Sequence, residues 1–144
     1  MRSPYDFVFN ATYKAGQLTL VNGEIAGIPV TAFLDSGAQT TIGNDALRRL
    51  ASARMPDLKW TSTEVLSATG QTIRGDWALL RAFRLGEMSL NYLPVVFADL
   101  HTFKIWDLVK DPAVLVGVDI MSQFEYVSLD FARGEVRFRP PKAI

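Results

Sequence analysis

No stretch of this chain keeps one apolar pattern for long. Short apolar or alternating runs are cut repeatedly by glycine-bearing turns, a rhythm that constrains the chain to a core built from antiparallel hairpins. Tyr5 to Tyr13, Leu18 to Ile25 and Pro29 to Leu34 are such runs, separated by Lys14-Ala15-Gly16 and Ala26-Gly27. Glu64 to Ala68, Thr72 to Leu85, Ser89 to Phe97 and Val114 to Val116 follow. Tyr126 to Phe131 and Glu135 to Arg139 flank Arg133-Gly134 and read as a hairpin. The expected fold class is mainly β with one or two short helices. The first helix is expected at Asn44 to Ala53, with Asn44 as cap and Ala46, Leu47, Leu50 and Ala51 at helical spacing. A second is expected after Gly117, with Asp119 as cap and Ile120, Met121 and Phe124 facing inward. Asp99 to Pro112 has no periodicity and reads as a loop or insertion.

At 144 residues the chain fits one domain, 1–144, large enough to bury a sizeable core. Fifteen basic and fifteen acidic residues cancel, which removes the electrostatic reason to expect nucleic acid or an anionic membrane as partner. With no cysteine and one histidine, His101, neither a thiolate site nor a histidine-rich metal cage can be built. The N-terminus carries no signal-peptide apolar stretch, and no apolar run approaches the roughly 18 residues of a membrane helix. The chain reads as soluble, which leaves its compartment open.

Asp35-Ser36-Gly37-Ala38 stands directly after the apolar run Pro29 to Leu34. Read alone, it is an ordinary turn, in which Asp and Ser bond their own backbone and Gly supplies positive φ. A carboxylate on a tight loop at a strand end is also a common place for acid/base chemistry. Two further segments follow in order. Ser67 to Gly75 is a glycine-tipped hairpin, and Val114-Leu115-Val116-Gly117-Val118-Asp119-Ile120-Met121 is an apolar strand ending in glycine before a short helix.

Together with Val30 to Ile42, these segments resemble the retropepsin-like aspartic proteases. The likeness extends to bacterial members and to the protease domain of eukaryotic DNA-damage-inducible, ubiquitin-linked retropepsins. It spans roughly residues 18 to 139. The resemblance implies a closed acid-protease β-barrel of the retropepsin type. It makes Asp35 the catalytic residue within an active-site loop of Ser36, Gly37 and Ala38. Leu115, Val116 and Gly117 would support that loop, and Thr69, Gly70, Gln71 and Thr72 would form the tip of a flap over an extended polypeptide substrate.

Such an enzyme needs one group to deprotonate water and another to protonate the scissile carbonyl. Two carboxylates about 3 Å apart cannot both ionise, so a pair shares a proton and supplies both roles. This chain has a single Asp-Ser-Gly, so the resemblance implies a homodimer in which Asp35 of each protomer forms the pair. Ser36 would bond across the two-fold axis. No cofactor or metal is implied. Ala38 lacks the hydroxyl some relatives carry there, which points to a pH optimum less acidic than that of pepsin-like enzymes. The competing reading is a catalytically weak or inactive peptide-binding or dimerisation module of the same fold. The segment from Gly37 to Leu115 is longer than the minimal viral pattern, with the surplus expected in the first helix and in residues 99–112.

Other residues read as structure. Trp77, Leu79, Leu80, Phe83 and Leu85 alternate along a strand and read as core rather than as pocket lining. His101 lies near Asp99, Asp107 and Asp111 without metal-ligand spacing and reads as part of a solvated loop. Arg133, Arg137, Arg139 and Lys142 read as a solvated terminal hairpin.

Overall fold

The structure is a computed structural model that describes residues 5–14, 17–66, 70–105 and 107–141. Among these residues the strands are β1 (Phe7–Lys14), β2 (Gln17–Ile25), β3 (Ile28–Leu34), β4 (Ile42–Gly43), β5 (Thr61–Leu66), β6 (Thr72–Leu85), β7 (Met88–Phe97), β8 (Ala113–Val116), β9 (Tyr126–Asp130) and β10 (Glu135–Arg139). The helices are α1 (Asp45–Arg54), α2 (His101–Ile105) and α3 (Val118–Met121).

The strands run β5-β6-β7-β4-β8-β3-β2-β1-β10-β9, and β2 also pairs with β6. That extra pairing, Gly23 to Ile25 against Phe83 to Leu85, closes six strands into a barrel. The mainly β expectation is therefore met. At the turn between β2 and β3, Ala26 and Gly27 both take positive φ (50° and 79°), the paired left-handed geometry that matches the twist of a two-residue hairpin. β1, β10 and β9 form an antiparallel extension in which β9 is the outermost strand.

Period-two alternation sorts the barrel side chains onto two faces. Ile28, Val30, Ala32 and Leu34 of β3, Val114 and Val116 of β8, and Leu93, Val95 and Phe97 of β7 point inward to the main core. Each of these side chains apart from Ala32, once fully buried, contributes about 1.5–3 kcal/mol. Phe33, Val96, Ala113 and Leu115 on the same strands, with Ile42 of β4, point outward into a second, smaller apolar cluster.

Helix α1 forms as expected. The side chain of Asn44 accepts a hydrogen bond from Leu47 N, and Asp45 and Arg54 complement the helix dipole at the two ends. Ala46, Leu47 and Ala51 are buried, whereas Leu50 is exposed. Arg48 lies 4.7 Å above the Trp60 ring and 2.9 Å from Asp76, which holds the helix beside β6.

Several expectations are corrected. The segment 99–112 is not merely a loop, because it contains α2, whose Phe103 is buried. β4 had no visible signal, since its two residues earn their strand geometry by pairing with both β7 and β8. β5 begins at Thr61 rather than Glu64, and β9 ends at Asp130. Leu80, Phe83 and Leu85 are core, but Trp77 and Leu79 are 38% and 44% exposed because they face outward from β6. Arg137 and Arg139 are not simply solvated. They clasp the fully buried carboxylate of Asp6 at 3.5 and 2.9 Å. The hydrogen bond to Asp6 holds the Arg139 guanidinium above the ordinary arginine range. Lys142 lies outside the described residues.

Candidate functional site

β3 delivers Asp35 to the rim of the barrel, and parallel pairing with β8 fixes where it stops. Phe33 lies opposite Leu115 and Leu34 opposite Val116, and Asp35 N–H donates to Val116 O at 3.0 Å. The chain then turns tightly. Gly37 N–H donates to Asp35 Oδ1 at 2.9 Å and Ala38 N–H to Asp35 O at 3.1 Å. Asp35 is half-buried, Ser36 and Gly37 are exposed, and Ala38 packs on the edge of the outer apolar cluster. One carboxylate oxygen of Asp35 is thus engaged by its own loop. Among the described residues, no hydrogen bond within the protomer engages the Ser36 hydroxyl.

The end of β8 and Gly117 lie against this loop. Val118 N–H donates to Ala38 O at 2.8 Å, and Asp119 N–H donates to Gln39 O at 3.3 Å. A side chain on Gly117 would meet Ala38 O at 2.7 Å and the Thr40 carbonyl carbon and oxygen at 2.9 Å. All three are backbone atoms, so only glycine fits. The two chain segments cross here at backbone contact.

Asp119 is not the cap of α3. Gly117 holds the N-cap position without a side-chain bond. The Asp119 carboxylate instead spans 78 positions to Thr41, accepting from Thr41 Oγ1 at 2.7 Å and from Thr41 N–H at 3.0 Å. Thr41 Oγ1 in turn accepts from Gly117 N–H at 3.1 Å. Thr41 is fully buried, so this network satisfies polar groups that would otherwise be costly. It clamps the chain leaving the Asp35 loop to the β8–α3 junction, while the Asp35 N–H bond to Val116 O holds the chain entering it. Sequence reading missed Thr41, and the hydroxyl-rich Thr40-Thr41 pair was its only local signal.

Asp35 and Ser36 open onto a groove of about 490 Å³ that runs past Val118 and Met121 to Tyr126, Leu129 and Phe131. Val118, Tyr126, Leu129 and Phe131 are 40%, 48%, 40% and 58% exposed. An apolar surface therefore continues directly from the Asp35 loop to the outermost strand. A larger cleft of about 750 Å³ lies between the base of the β5–β6 hairpin, α1 and α2, and Asp35 does not line it. The chemistry favours the groove that holds the carboxylate.

Of the expected flap residues, Gly70 (φ 83°) and Gln71 are exposed in the turn before β6, and Thr72 opens that strand opposite Leu66. Thr69 lies outside the described residues. The hairpin arm is therefore present, and none of its described residues hydrogen-bonds to the Asp35 loop. His101 is exposed at the start of α2. Among the described residues no helix is long and apolar enough to cross a membrane.

The fold is similar to that of a retropepsin-like aspartic protease from Rickettsia conorii, with a TM-score of 0.62 at 15% identity over 92% of this chain and 89% of that one. The retroviral protease-like domain of Ddi1 from Leishmania major matches with a TM-score of 0.49 at 18% identity, over 92% of this chain and 94% of that one. No curated protein matches the chain in sequence. The closed six-stranded barrel is thus of the retropepsin-like type. The aspartyl protease family model matches residues 21–120, from β2 through the Asp35 loop, the β5–β6 hairpin and β8 into α3. The chain belongs to the aspartyl protease family.

Proposed function

We propose that this protein is a homodimeric aspartic endopeptidase that hydrolyses peptide bonds in extended polypeptide segments, with a water molecule activated between Asp35 of one protomer and Asp35 of its partner. The observation that carries the reading is the continuity of the Asp35–Ser36 rim with an exposed apolar surface. Val118, Leu129 and Phe131 line one groove with the loop, and β9, which carries Leu129, has one unpaired edge among the described residues. Such a surface suits burial against a second copy, which would bring the two rims together.

Each carboxylate then has a role. The ionised member accepts a proton from water as it attacks the scissile carbonyl, and the protonated member donates to the carbonyl oxygen. The tetrahedral intermediate collapses by expelling the amine, which takes a proton from the pair. No acyl-enzyme forms. Ser36, exposed at the rim, bonds to the partner loop, and the Thr41–Asp119 clamp holds the pair in register. The substrate lies as an extended strand beneath the β5–β6 hairpin, with Gly70 to Thr72 reaching over it.

The test combines cleavage and assembly. Wild type and Asp35→Asn are incubated with a denatured protein and with a peptide library from acid to neutral pH, and sedimentation reports the dimer. Loss of cleavage by at least roughly 10²-fold in Asp35→Asn, with the dimer intact, is expected. Cleavage that survives the substitution sinks the mechanism. A dimeric wild type that cleaves nothing favours a peptide-binding module instead.

A further inference from the structure

The β5–β6 hairpin leaves the barrel at a definable point. β5 pairs with β6 alone, Thr61 to Leu66 against Thr72 to Trp77, and β6 takes up β7 as a second neighbour only from Asp76, opposite Phe97. Residues 61–66 and 72–75 therefore form a two-stranded arm, in which Val65 is the one buried side chain among the described residues. Gly75 marks its base, where a Cβ would meet Phe97 O at 2.7 Å, so β6 crosses the end of β7 at backbone contact. Two strands with so little burial are marginal by themselves, and what holds their base decides where they point.

Arg48 of α1 grips that base on both strands. Its guanidinium lies 2.9 Å from Asp76 Oδ2 on β6 and 4.7 Å above the ring of Trp60, the residue before β5. Trp60 packs on the main core edge-on to Phe97, with ring centroids 5.5 Å apart, and Phe97 is the β7 partner of Asp76. Arg48, Asp76, Phe97 and Trp60 thus close a circle of contacts around the base of the arm. Arg48 is itself fixed, because Leu47 beside it is fully buried and Asn44 caps its helix. On the other side lies the strap formed by α2 and residues 107–111, which Asn44 holds through Leu108 O and Asp111 O. The 750 Å³ cleft separates this strap from Arg48, Gly75 and Asp76, so no packing on that side fixes the base of the arm.

We infer that Arg48 is a positioning residue for the hairpin arm. By gripping Asp76 and Trp60 together it fixes the angle at which the arm stands over the Asp35 rim, and through that angle the tightness with which a peptide is held. Arginine suits the task, since it presents its edge to a carboxylate and its face to an indole at once. The ion pair is partly exposed and contributes little alone, but with the ring contact it biases the position of the arm by about 3–30-fold. The inference rests on the proteolytic reading for what the arm covers. It goes beyond that reading in assigning the arm's position to a residue of α1.

The position of the arm can be read without catalysis. The chain has no cysteine, so nitroxide labels at Gln71→Cys, in the turn of the arm, and Ser52→Cys, on the exposed surface of α1, report one intramolecular distance once labelled protein is diluted with unlabelled protein. With Arg48 in place the distance distribution is narrow, and Arg48→Met, which keeps the aliphatic stem, broadens it. Arg48→Lys retains the charge for Asp76 without the flat stacking face and is intermediate. Affinity for a statine-containing peptide, titrated calorimetrically, falls by about 3–30-fold in Arg48→Met. Arg81→Met removes the 3.3 Å Arg81–Asp57 pair from the same strand, away from the base, and moves neither measurement. A distribution as narrow in Arg48→Met as with Arg48 overturns the inference and leaves the protease reading intact, as does broadening with unchanged affinity. Broadening with weakened affinity, in a protein that cleaves no substrate, upholds the inference and overturns the protease reading. Failure of the peptide to bind the wild type overturns the inference.

Discussion

Asp119 holds Thr41 through two bonds at once, accepting the side-chain hydroxyl at 2.7 Å and the backbone N–H at 3.0 Å. Because Thr41 Oγ1 also accepts from Gly117 N–H, one buried hydroxyl joins the strand leaving the Asp35 loop to the junction that supports it. Thr41→Val keeps the shape and removes the hydroxyl. It leaves Gly117 N–H without its acceptor and takes from Asp119 the hydroxyl donor while the backbone N–H donor stays, a cost of about 1–3 kcal/mol. Urea unfolding should show a lower midpoint at unchanged slope, and kcat should fall more than KM rises if the clamp sets loop geometry. Thr41→Ser, which retains the hydroxyl, should recover most of both losses.

Gly117→Ala tests the same junction sterically. The new methyl carbon would press on Ala38 O, Thr40 C and Thr40 O, none of which can rotate away as a side-chain end could. The Asp35 loop must move or β8 must slide. We predict a loss of at least about 2 kcal/mol in stability and at least tenfold in kcat/KM. A folded Gly117→Ala protein of wild-type activity would show that the loop tolerates displacement at this crossing.

Much of this architecture is legible in the sequence because its signals are local. Asn44 before an apolar 3.6-residue period announces α1, and Arg133-Gly134 between alternating runs announces the last hairpin. What stays hidden is set by distant partners. Ile42–Gly43 is too short to carry a period and becomes a strand only between Val96–Phe97 and Val114–Leu115. Thr61 to Thr63 is polar, and it is strand because Gly75 to Trp77 pairs with it. Asp119 in a first helical turn looks like a local cap, and only the folded chain brings Thr41 to it. The Asp35 motif was readable, whereas its clamp and the strap were not.

Asn44 carries more than its cap. Its side chain makes four hydrogen bonds, to Leu47 N, Ala113 N, Leu108 O and Asp111 O, while only 3% exposed. Asn44→Ala should cost about 3 kcal/mol, of which a lost helix cap alone explains about 1. Asn44→Asp keeps the acceptor for Leu47 and Ala113 but cannot donate to the strap. Hydrogen exchange should therefore show faster exchange around residues 103–108 in Asn44→Asp, with α1 still protected. Equal exposure of α1 and the strap would mean that the two are not anchored separately.

The side chain of Asp6 is fully buried between Arg137 and Arg139, and Arg139 also stacks over Tyr126 at 5.2 Å on the outermost strand. One carboxylate thus ties the segment entering β1 to β10 and, through Arg139, to the edge that flanks the proposed dimer surface. Arg139 is raised above the ordinary arginine range chiefly by its hydrogen bond to Asp6. A raised folded value means that its contribution is fully present below the unfolded value and is lost only as pH climbs through the folded one. Across the neutral and mildly alkaline range this contribution is therefore constant. Asp6→Asn removes the charge that both guanidinium groups clasp, so Tm should drop by roughly 5 °C or more. Calorimetry at pH 6, 7.5 and 9 should give the same deficit at each, and a deficit that shrinks towards pH 9 would place its origin in a group other than Arg139.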